Sequence, residues 1–537
     1  MKQSVLASVL GLLLTCRILA QDGQTNWDNT VSKNWPRDFI TVQIKSTVDG
    51  KMQKAIFYKS RQKKPQPLIL SLHTWSGDYL QEDPLVKEVI LRDWNYIHPD
   101  FRGPNNTPEA CGSPLVVTDI DDAIQFAIGN SNVDTNEVHV IGASGGGYAT
   151  LLAFMKLRYP VKSFSAWVGI SDIEEWYLEC KGRQLKYARD LEWVTTSGIG
   201  FNATDARKRS PRFMQYQPEL REVATVRIYP GIHDGYIGSV PITQSVNMFN
   251  KLLMAMYPHE FSLLVPDSLK VALLEKRIDH PASLGKLGGR DIHLQRWLPN
   301  LSLTVFEGGH EMLAPQALSL LQPGPLKNMQ ALNILTVGDS NGAVEYGWPA
   351  QLRKLLPFST IVNKSVAGNT IGFDNLSQEK LNTLKNIDRY LDEAYSELGV
   401  DQIFDYVFIG LGTNDAKQVF EPRKKEVPRN MDLLIQKIRH WTNTHQKGVP
   451  VICLVSSPPI DSLNANTEKY GGGDKRVQQN NEQFKRVAKV NHIDFLDIYS
   501  NLKADFQEKT SDGVHLNEVA QFQLASEIKI YLDKKIK

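Results

Sequence analysis

The sequence predicts an α/β protein with two consecutive domains, and three observations lead to that expectation. Short apolar runs typical of buried strands alternate with segments of helical period in both halves of the chain. At 537 residues the chain is too long for one ordinary hydrophobic core. A proline- and glycine-rich cluster at 322–325 interrupts the series, and the alternation restarts directly after it. Such alternation implies mostly parallel sheets that are covered by helices on both faces.

The first domain is expected to open with a hairpin over 38–60, because Val48 to Gly50 gives a turn signal between two strand-like runs. Two later stretches, 174–216 and 266–299, break the alternation of strands and helices. Their aromatic residues are equally consistent with a cap over a substrate pocket and with internal packing. Further strands are predicted at 67–74, 95–101, 137–143 and 164–170, with a helix at 116–128.

A serine flanked by glycines stands between a strand and a helix at the centre of this domain. The β-branched run from Glu137 ends in Gly142-Ala143-Ser144-Gly145-Gly146, and helical spacing follows from Tyr148. This arrangement is that of a nucleophile elbow. Glycines on either side let the strand and the helix pack closely, and the helix N-terminus offers N–H groups to an oxyanion. We therefore predict that Ser144 is a nucleophile.

A serine nucleophile needs a base, and the base needs an acid that orients it. Asp234 follows a predicted strand that begins at Val226, and His310 follows another that begins at Leu303. Both would lie at the carboxyl ends of strands, where open α/β sheets place their sites. Asp172 is a rival acid, but a late strand–loop acid is the commoner arrangement for the chain order Ser, Asp, His. This order favours Asp234.

The loop from Gly231 to Ser245 resembles the acid loop of the prolyl-oligopeptidase-like serine hydrolases and esterases. Leu72 to Trp75 resembles their His-Gly-x oxyanion stretch, with Thr74 where glycine is usual. The resemblance covers about 38–320 and implies an α/β-hydrolase fold. It also implies that the backbone N–H groups of Trp75 and Gly145 form the oxyanion hole. No propeller-like segment precedes this region, which favours an esterase over a peptidase.

The second domain begins with another apolar strand that ends in a serine, from Leu332 to Ser340. Three later blocks accompany it in order along the chain. A strand from Tyr406 leads to Asn414, a strand at 451–455 leads to paired prolines, and Asp512-Gly-Val-His515 precedes a final helix. The short spacing of the last block lets an acid and a base share one turn.

These four blocks resemble the SGNH (GDSL-type) hydrolases over 332–537. The resemblance implies a flavodoxin-like SGNH-hydrolase fold, with Ser340 as nucleophile, His515 as base and Asp512 as its orienting partner. It further implies an oxyanion hole made by the backbone N–H groups of Ser340 and Gly368 and by the side-chain amide of Asn414.

Residues 1–20 read as a secretory signal peptide, since a positive start precedes a short apolar run. The chain is then exported to the periplasm or beyond, and no segment of the mature chain is predicted to span a membrane. We expect an α/β-hydrolase domain at 24–320, a linker at 321–331 and the SGNH domain at 332–537. The 61 Lys and Arg nearly balance the 59 Asp and Glu, which gives no indication of a nucleic-acid partner.

Export makes a disulfide permissible, and Cys111 and Cys180 both fall in predicted loops of the first domain. They are therefore the candidate pair. Cys16 leaves with the signal peptide, and Cys453 belongs to a predicted buried strand. The spacing of cysteine and histidine does not suggest a zinc site, and the reaction implied by the two serines needs neither a metal nor a cofactor.

Together these features predict an exported serine carboxylesterase with two active sites. By family analogy, its partner is an esterified polysaccharide or oligosaccharide of plant origin, from which it removes acetyl or related acyl groups. Two alternatives remain open. In the first, the chain hydrolyses lipid esters or thioesters. In the second, one domain is catalytic and the other is a non-catalytic glycan-binding module.

Overall fold

The structure is a computed structural model that describes residues 34–277, 284–321, 331–399 and 401–535. The predicted signal peptide and nearly all of the predicted linker lie outside these residues. The chain divides into two compact units. One contains the described part of Met1–His280 with Ile292–Leu313, and the other the described part of Pro281–Asp291 with Ala314–Lys537. In the part of the chain that the structure covers, no helix is long and apolar enough to cross a membrane.

Within the described residues, ten strands form one sheet, in the spatial order β1-β2-β4-β3-β5-β6-β7-β10-β9-β8. Their bounds are β1 (Ile40–Lys45), β2 (Met52–Tyr58), β3 (Gln66–Leu72), β4 (Asn95–Pro99), β5 (Val133–Ala143), β6 (Ser163–Trp167), β7 (Thr225–Tyr229), β8 (Lys286–Leu287), β9 (Arg290–Trp297) and β10 (Leu301–Phe306).

The middle of this sheet is parallel and its margins are antiparallel. The run β4-β3-β5-β6-β7-β10 is parallel throughout. At one margin β1 and β2 form the predicted hairpin, and at the other β9 runs antiparallel to β10. The predicted strands and the α/β class are confirmed. Because the central strands are parallel, the segments that follow β5, β7 and β10 emerge at the same edge of the sheet.

Helices cover this sheet and alternate with its strands along the chain. Their bounds are α1 (Leu85–Arg92), α2 (Pro114–Asn130), α3 (Gly145–Lys156), α4 (Ile173–Gly182), α5 (Tyr187–Thr196), α6 (Ala203–Arg209), α7 (Ile242–Met256) and α8 (Asp267–Leu274). Short 3₁₀ turns lie at Pro211–Phe213, Pro218–Leu220 and Phe261–Leu263. The core lies between the helices and the sheet, where apolar residues of α2, α3 and α7 pack on β3, β5, β7 and β10.

The two stretches that break the sequence pattern have different structures. The first, 174–216, is indeed a helical insertion that contains α5, α6 and most of α4. The second, 266–299, supplies a strand of the sheet, since β9 pairs with β10 from Ser302↔Trp297 to Phe306↔Ile292. The sequence did not predict this strand, because Arg290–Trp297 carries charged residues among its apolar ones and only the pairing with β10 identifies it.

The second unit contains a smaller sheet, which among the described residues has five strands in the order β12-β11-β13-β14-β15. All its neighbouring pairs are parallel. This is the doubly wound, flavodoxin-like order, in which the chain starts in an inner strand and reverses direction once. The bounds are β11 (Asn333–Gly338), β12 (Thr360–Asn363), β13 (Tyr406–Gly410), β14 (Val451–Val455) and β15 (Asp494–Leu496). The predicted flavodoxin-like fold is confirmed.

Helices flank both faces of this sheet. They are α9 (Ala314–Ala317), α10 (Ser340–Ala343), α11 (Trp348–Leu355), α12 (Thr383–Leu398), α13 (Val427–Thr444), α14 (Thr467–Tyr470), α15 (Gly473–Val490), α16 (Ile498–Lys503) and α17 (Glu518–Lys535). Turns of 3₁₀ helix occupy Leu318–Leu320, Asn375–Ser377, Glu379–Leu381, Asn414–Ala416, Gln418–Glu426 and Phe506–Glu508. The core of this unit lies between β11, β13 and β14 and the apolar faces of α12 and α13.

Candidate active sites

Ser144 occupies the strained turn that the sequence predicts. It lies between the end of β5 at Ala143 and the start of α3 at Gly145, with φ 57° and ψ −119°. Few side chains adopt a positive φ, so the surrounding structure must impose this conformation. A Cβ added to Gly142 would collide with the backbone of Gly146, and one added to Gly146 would collide with the Leu72 carbonyl oxygen. The two glycines therefore let the turn close against β3.

Asp234 and His310 meet at the carboxyl edge of the first sheet, as predicted. Asp234 follows β7 and His310 follows β10, and Asp234 Oδ2 lies 2.7 Å from His310 Nδ1. The other carboxylate oxygen of Asp234 accepts the backbone N–H groups of Gly235 at 2.9 Å and Val240 at 3.0 Å. The carboxylate is buried and its orientation is fixed from both sides.

The structure does not complete this set with a hydrogen bond from the serine. Among the described residues, no hydrogen bond joins Ser144 Oγ to the His310 imidazole. The loops nevertheless converge, since a cavity of about 20 Å³ is lined by Thr74, Gly142 and Met312. The rival acid Asp172 has a structural task instead. It caps the N-terminus of α4 by accepting the N–H of Glu175 and forms an ion pair with Arg212 at 2.9 Å.

The two predicted oxyanion donors of the first site lie side by side. A Cβ on Gly145 would collide with the backbone nitrogen of Trp75, so the two peptide groups are in direct contact. The loop that bears Trp75 is fixed by Gln81, whose side-chain oxygen accepts both the N–H and the hydroxyl of Thr74 at 3.0 and 3.1 Å. Threonine therefore has a hydrogen-bonding role at the position where the resembled family usually has glycine.

Aromatic side chains of the helical insertion pack around Trp75, whose backbone adjoins Gly145. The ring of Trp75 packs edge-on against Trp176 at 4.7 Å, and Tyr187 lies 6.3 Å away. These residues are buried, and Ser144 itself is only 2% exposed. Of the two interpretations that the sequence leaves open, internal packing is the one that describes Trp176 and Tyr187. Trp193, by contrast, is 52% exposed.

The predicted disulfide between Cys111 and Cys180 is absent, because both residues are free thiols. Each is buried in the same cluster as Trp75 and Trp176, and Cys180 lies in helix α4 rather than in a loop. Cys111 Sγ contacts the hydroxyl of Tyr148 at 3.7 Å. Burial raises the pKa of both thiols to about 12. They act here as small packing residues, which their predicted position in loops did not suggest.

In the second unit, the predicted serine, histidine and acid form one continuous chain of hydrogen bonds. Ser340 is the first residue of α10, directly after β11. His515 Nε2 lies 2.9 Å from Ser340 Oγ, and His515 Nδ1 lies 2.6 Å from Asp512 Oδ2. The second carboxylate oxygen of Asp512 accepts the backbone N–H groups of Val514 at 3.0 Å and His515 at 2.8 Å. Acid and base are therefore held within one turn.

The charge on Asp512 is stabilised by this turn. Burial alone would raise the pKa of Asp512, but the backbone N–H and the imidazole of His515 outweigh it, and the pKa is lowered. An ionised carboxylate at this place holds His515 with its Nδ1 proton towards the acid and leaves Nε2 to accept a proton from Ser340.

The predicted oxyanion donors Gly368 and Asn414 follow β12 and β13, the two strands that pair with β11 on either side. Gly368 follows β12 with φ +89°, a conformation that suits glycine, and Asn375 Nδ2 donates to its carbonyl oxygen at 2.6 Å. Asn414 Nδ2 donates one hydrogen bond to the Asn369 carbonyl oxygen at 3.0 Å. An amide nitrogen carries two protons, so the second one is available to a substrate oxyanion.

Several residues that support this site were missed from the sequence. Asn341 Oδ1 accepts the N–H of Leu516 at 2.9 Å and thereby ties the histidine turn to α10. Asp415 accepts the N–H of Ile371 with both carboxylate oxygens, and burial raises its pKa to about 7. Burial also raises the pKa of Asp339, which caps α10. Asn341 and Asp415 each adjoin a predicted site residue, and that adjacency was the available signal.

The two sites differ most in access. The side chains of His515 and Asp512 are 41% and 52% exposed, whereas those of His310 and Asp234 are 11% and 1% exposed. The acid–base pair beside Ser340 is thus largely open to solvent, while Ser144 and its predicted partners are buried. Across the described ranges, no group of three or more His, Cys, Asp or Glu side chains is placed to hold a metal ion.

Comparison with known proteins identifies the second unit. Residues 335–521 match the model of the GDSL-like Lipase/Acylhydrolase family. The predicted resemblance of the C-terminal part to GDSL-type hydrolases is thus confirmed, and with it the prediction that the chain is a carboxylic ester hydrolase. None of the curated proteins matches the chain.

Solved structures resemble parts of the chain at low identity. Est24, a carbohydrate acetylesterase from Sinorhizobium meliloti, has 19% identity and a TM-score of 0.32, with 38% of this chain and 99% of that chain covered. The native aryl esterase of M. smegmatis has 20% identity and the same score and coverage. A Mycobacterium tuberculosis puromycin-hydrolyzing peptidase has 16% identity and a TM-score of 0.33, with 41% of this chain and 34% of that chain covered.

Proposed function

We propose that the chain is an exported esterase in which Ser340 and Ser144 are the nucleophiles of two separate active sites. The observation that carries the proposal is the hydrogen-bonded chain Ser340–His515–Asp512 beside Gly368 and Asn414. Its distances lie within the reach that proton transfer from a serine to a histidine requires.

At the Ser340 site the reaction proceeds through an acyl-enzyme. Ser340 Oγ attacks the ester carbonyl carbon while its proton passes to His515 Nε2, and the carbonyl oxygen becomes an oxyanion beside the predicted donors. Collapse of this intermediate breaks the C–O bond to the alcohol, which leaves with the proton from His515. Water then attacks the acyl-serine and gives a proton to His515. Collapse of the second tetrahedral intermediate breaks the bond between the acyl carbon and Ser340 Oγ, which takes the proton back from His515 as the carboxylic acid is released. Asp512 stays ionised throughout and stabilises the imidazolium.

At the Ser144 site Asp234 and His310 already hold the geometry of an acid–base pair, and Trp75 and Gly145 hold adjacent peptide groups. We propose the same chemistry here, with a smaller acyl or alcohol group than at the Ser340 site. Because Ser144 is nearly inaccessible, its turnover is expected to be the slower of the two.

The proposed substrate is an acetylated or similarly esterified oligosaccharide. Support comes from the open Ser340 site, which leaves room for a large alcohol group, and from the predicted export of the chain. The rival substrate is a lipid or thioester with a long acyl chain.

Fluorophosphonate labelling, followed by mapping of the modified serines, tests the two-site proposal. Adducts at both Ser340 and Ser144 are expected, with the second forming more slowly. An adduct at Ser340 alone would instead assign the first domain a non-catalytic role. A series of p-nitrophenyl esters tests the acyl group. Highest kcat/KM for acetyl is expected, whereas a maximum at long chains contradicts the deacetylase proposal.

A further inference from the structure

We infer that Tyr470 is a positioning residue, which fixes the side chain of Asn414 so that its amide N–H points into the oxyanion hole of the Ser340 site. The inference rests on the proposed function of that site. Tyr470 Oη donates to Asn414 Oδ1 at 3.2 Å, and Asn414 Nδ2 donates to Asn369 O at 3.0 Å. The Asn414 amide is therefore held at both of its ends.

The orientation of this amide determines whether the site can stabilise an oxyanion. The oxygen and nitrogen ends of an asparagine side chain have almost the same shape, and a half-turn about the last bond exchanges them. In the exchanged orientation a carbonyl oxygen would face the developing negative charge and repel it. The Tyr470 hydroxyl donates to the oxygen end and so favours the productive orientation.

The segment that carries Tyr470 is itself anchored to the segment that carries Asn414. Arg476 Nε donates to the Ala416 carbonyl oxygen and Nη2 donates to the Gly471 carbonyl oxygen, both at 2.7 Å. Ala416 closes the 3₁₀ turn that begins at Asn414, and Gly471 directly follows Tyr470. The half-buried Arg476 side chain, which also pairs with Glu421 at 3.2 Å, thus ties the tyrosine segment to the amide segment.

The Tyr470 hydroxyl is held in its protonated form. Burial raises the pKa of Tyr470, and the negative charges of Asp339 and Asp512 raise it further. The phenol therefore remains a donor to Asn414 Oδ1.

A matched pair of variants in the full-length chain with Ser144→Ala tests this role. Tyr470→Phe removes only the hydroxyl and is expected to lower kcat for p-nitrophenyl acetate about three- to tenfold with little change in KM, the effect of losing one hydrogen bond. Tyr499→Phe is the control, since Tyr499 belongs to the same small apolar cluster but donates to Asp474. It should leave both constants unchanged.

A double-mutant cycle separates positioning from a general structural effect. In an Asn414→Ala background Tyr470→Phe should cost nothing more, because the group that it positions is gone. An unchanged kcat in Tyr470→Phe, or an equal loss in both backgrounds, overturns the inference. If the Phe variant is unfolded by circular dichroism, Tyr470→Met, which is flexible enough to fill the space of the ring and has no donor, carries the same comparison. If the Ser144→Ala chain keeps its esterase activity when Ser340→Ala is added, the proposed function of the Ser340 site is refuted instead.

Discussion

His515 Nε2 and Ser340 Oγ lie 2.9 Å apart, so the second unit holds its nucleophile and its base in contact before any substrate arrives. The first unit pairs Asp234 with His310 but leaves Ser144 outside the hydrogen bond. Serine, histidine and aspartate are therefore all joined by hydrogen bonds in the second unit, whereas only aspartate and histidine are joined in the first.

Replacing Ser340 by alanine in the Ser144→Ala chain is expected to lower kcat for p-nitrophenyl acetate by at least about 10³-fold, because no acyl-enzyme can form. Steady-state kinetics measure the loss. Ser365→Ala is the control, since Ser365 packs against Gly338 and Gly342 in the same region but is not part of the hydrogen-bonded chain. Similar losses in both variants would contradict the assignment of Ser340.

Asp415 should make the second unit less stable as the pH rises. Its pKa is about 7 in the folded chain against 3.8 for an ordinary aspartate, so the folded state binds more protons between these values. Unfolding free energy then falls as the pH rises from about 4 to 7 and changes little above that, by a few kcal/mol at most. Denaturant unfolding at pH 5 and pH 8 should show a smaller fall for Asp415→Asn. If the unfolding free energy falls equally in the parent and in Asp415→Asn, Asp415 is not the cause of the pH dependence.

Gly146→Ala should disrupt the Ser144 turn, because the added Cβ would collide with the Leu72 carbonyl oxygen and with neighbouring backbone. We expect a loss of roughly 1–3 kcal/mol in unfolding free energy, as for other overpacking substitutions, and loss of fluorophosphonate labelling at Ser144. Labelling at Ser340 serves as the internal reference. Gly129→Ala, in helix α2 with open space around it, is the matched control and should be neutral or slightly stabilising.

The cysteines should behave as buried thiols. Cys111, Cys180 and Cys453 are free and buried, and burial raises the pKa of each to about 12. Native protein should therefore react at least tenfold more slowly with a thiol reagent such as DTNB than protein in guanidinium chloride. Dithiothreitol should leave Tm unchanged. A fall of Tm on reduction would indicate a disulfide in spite of this geometry.

The sequence was most informative where chemistry lies at the ends of strands. Ser144, Asp234 and His310 each follow an apolar run, so a parallel sheet was enough to bring them to one edge. Each of the four blocks that resemble the SGNH hydrolases is likewise a short continuous stretch of sequence. Residues such as Tyr470 and Arg476 were missed because their contacts join segments that are 56 and 60 positions apart. The wrong disulfide has the same origin, since loop positions in a sequence do not give the distance between two thiols.

The spacing of acid and base has a consequence for how each site changes during evolution. Asp512 and His515 are three residues apart, whereas Asp234 and His310 are 76 apart and follow different strands. A single loop exchange or short deletion therefore transfers or removes the whole acid–base pair of the second site. In the first site, a mutation can replace Asp234 or His310 and leave the other residue in place. The acid–base pair of the Ser340 site is therefore gained or lost as a unit, whereas that of the Ser144 site can be lost one residue at a time.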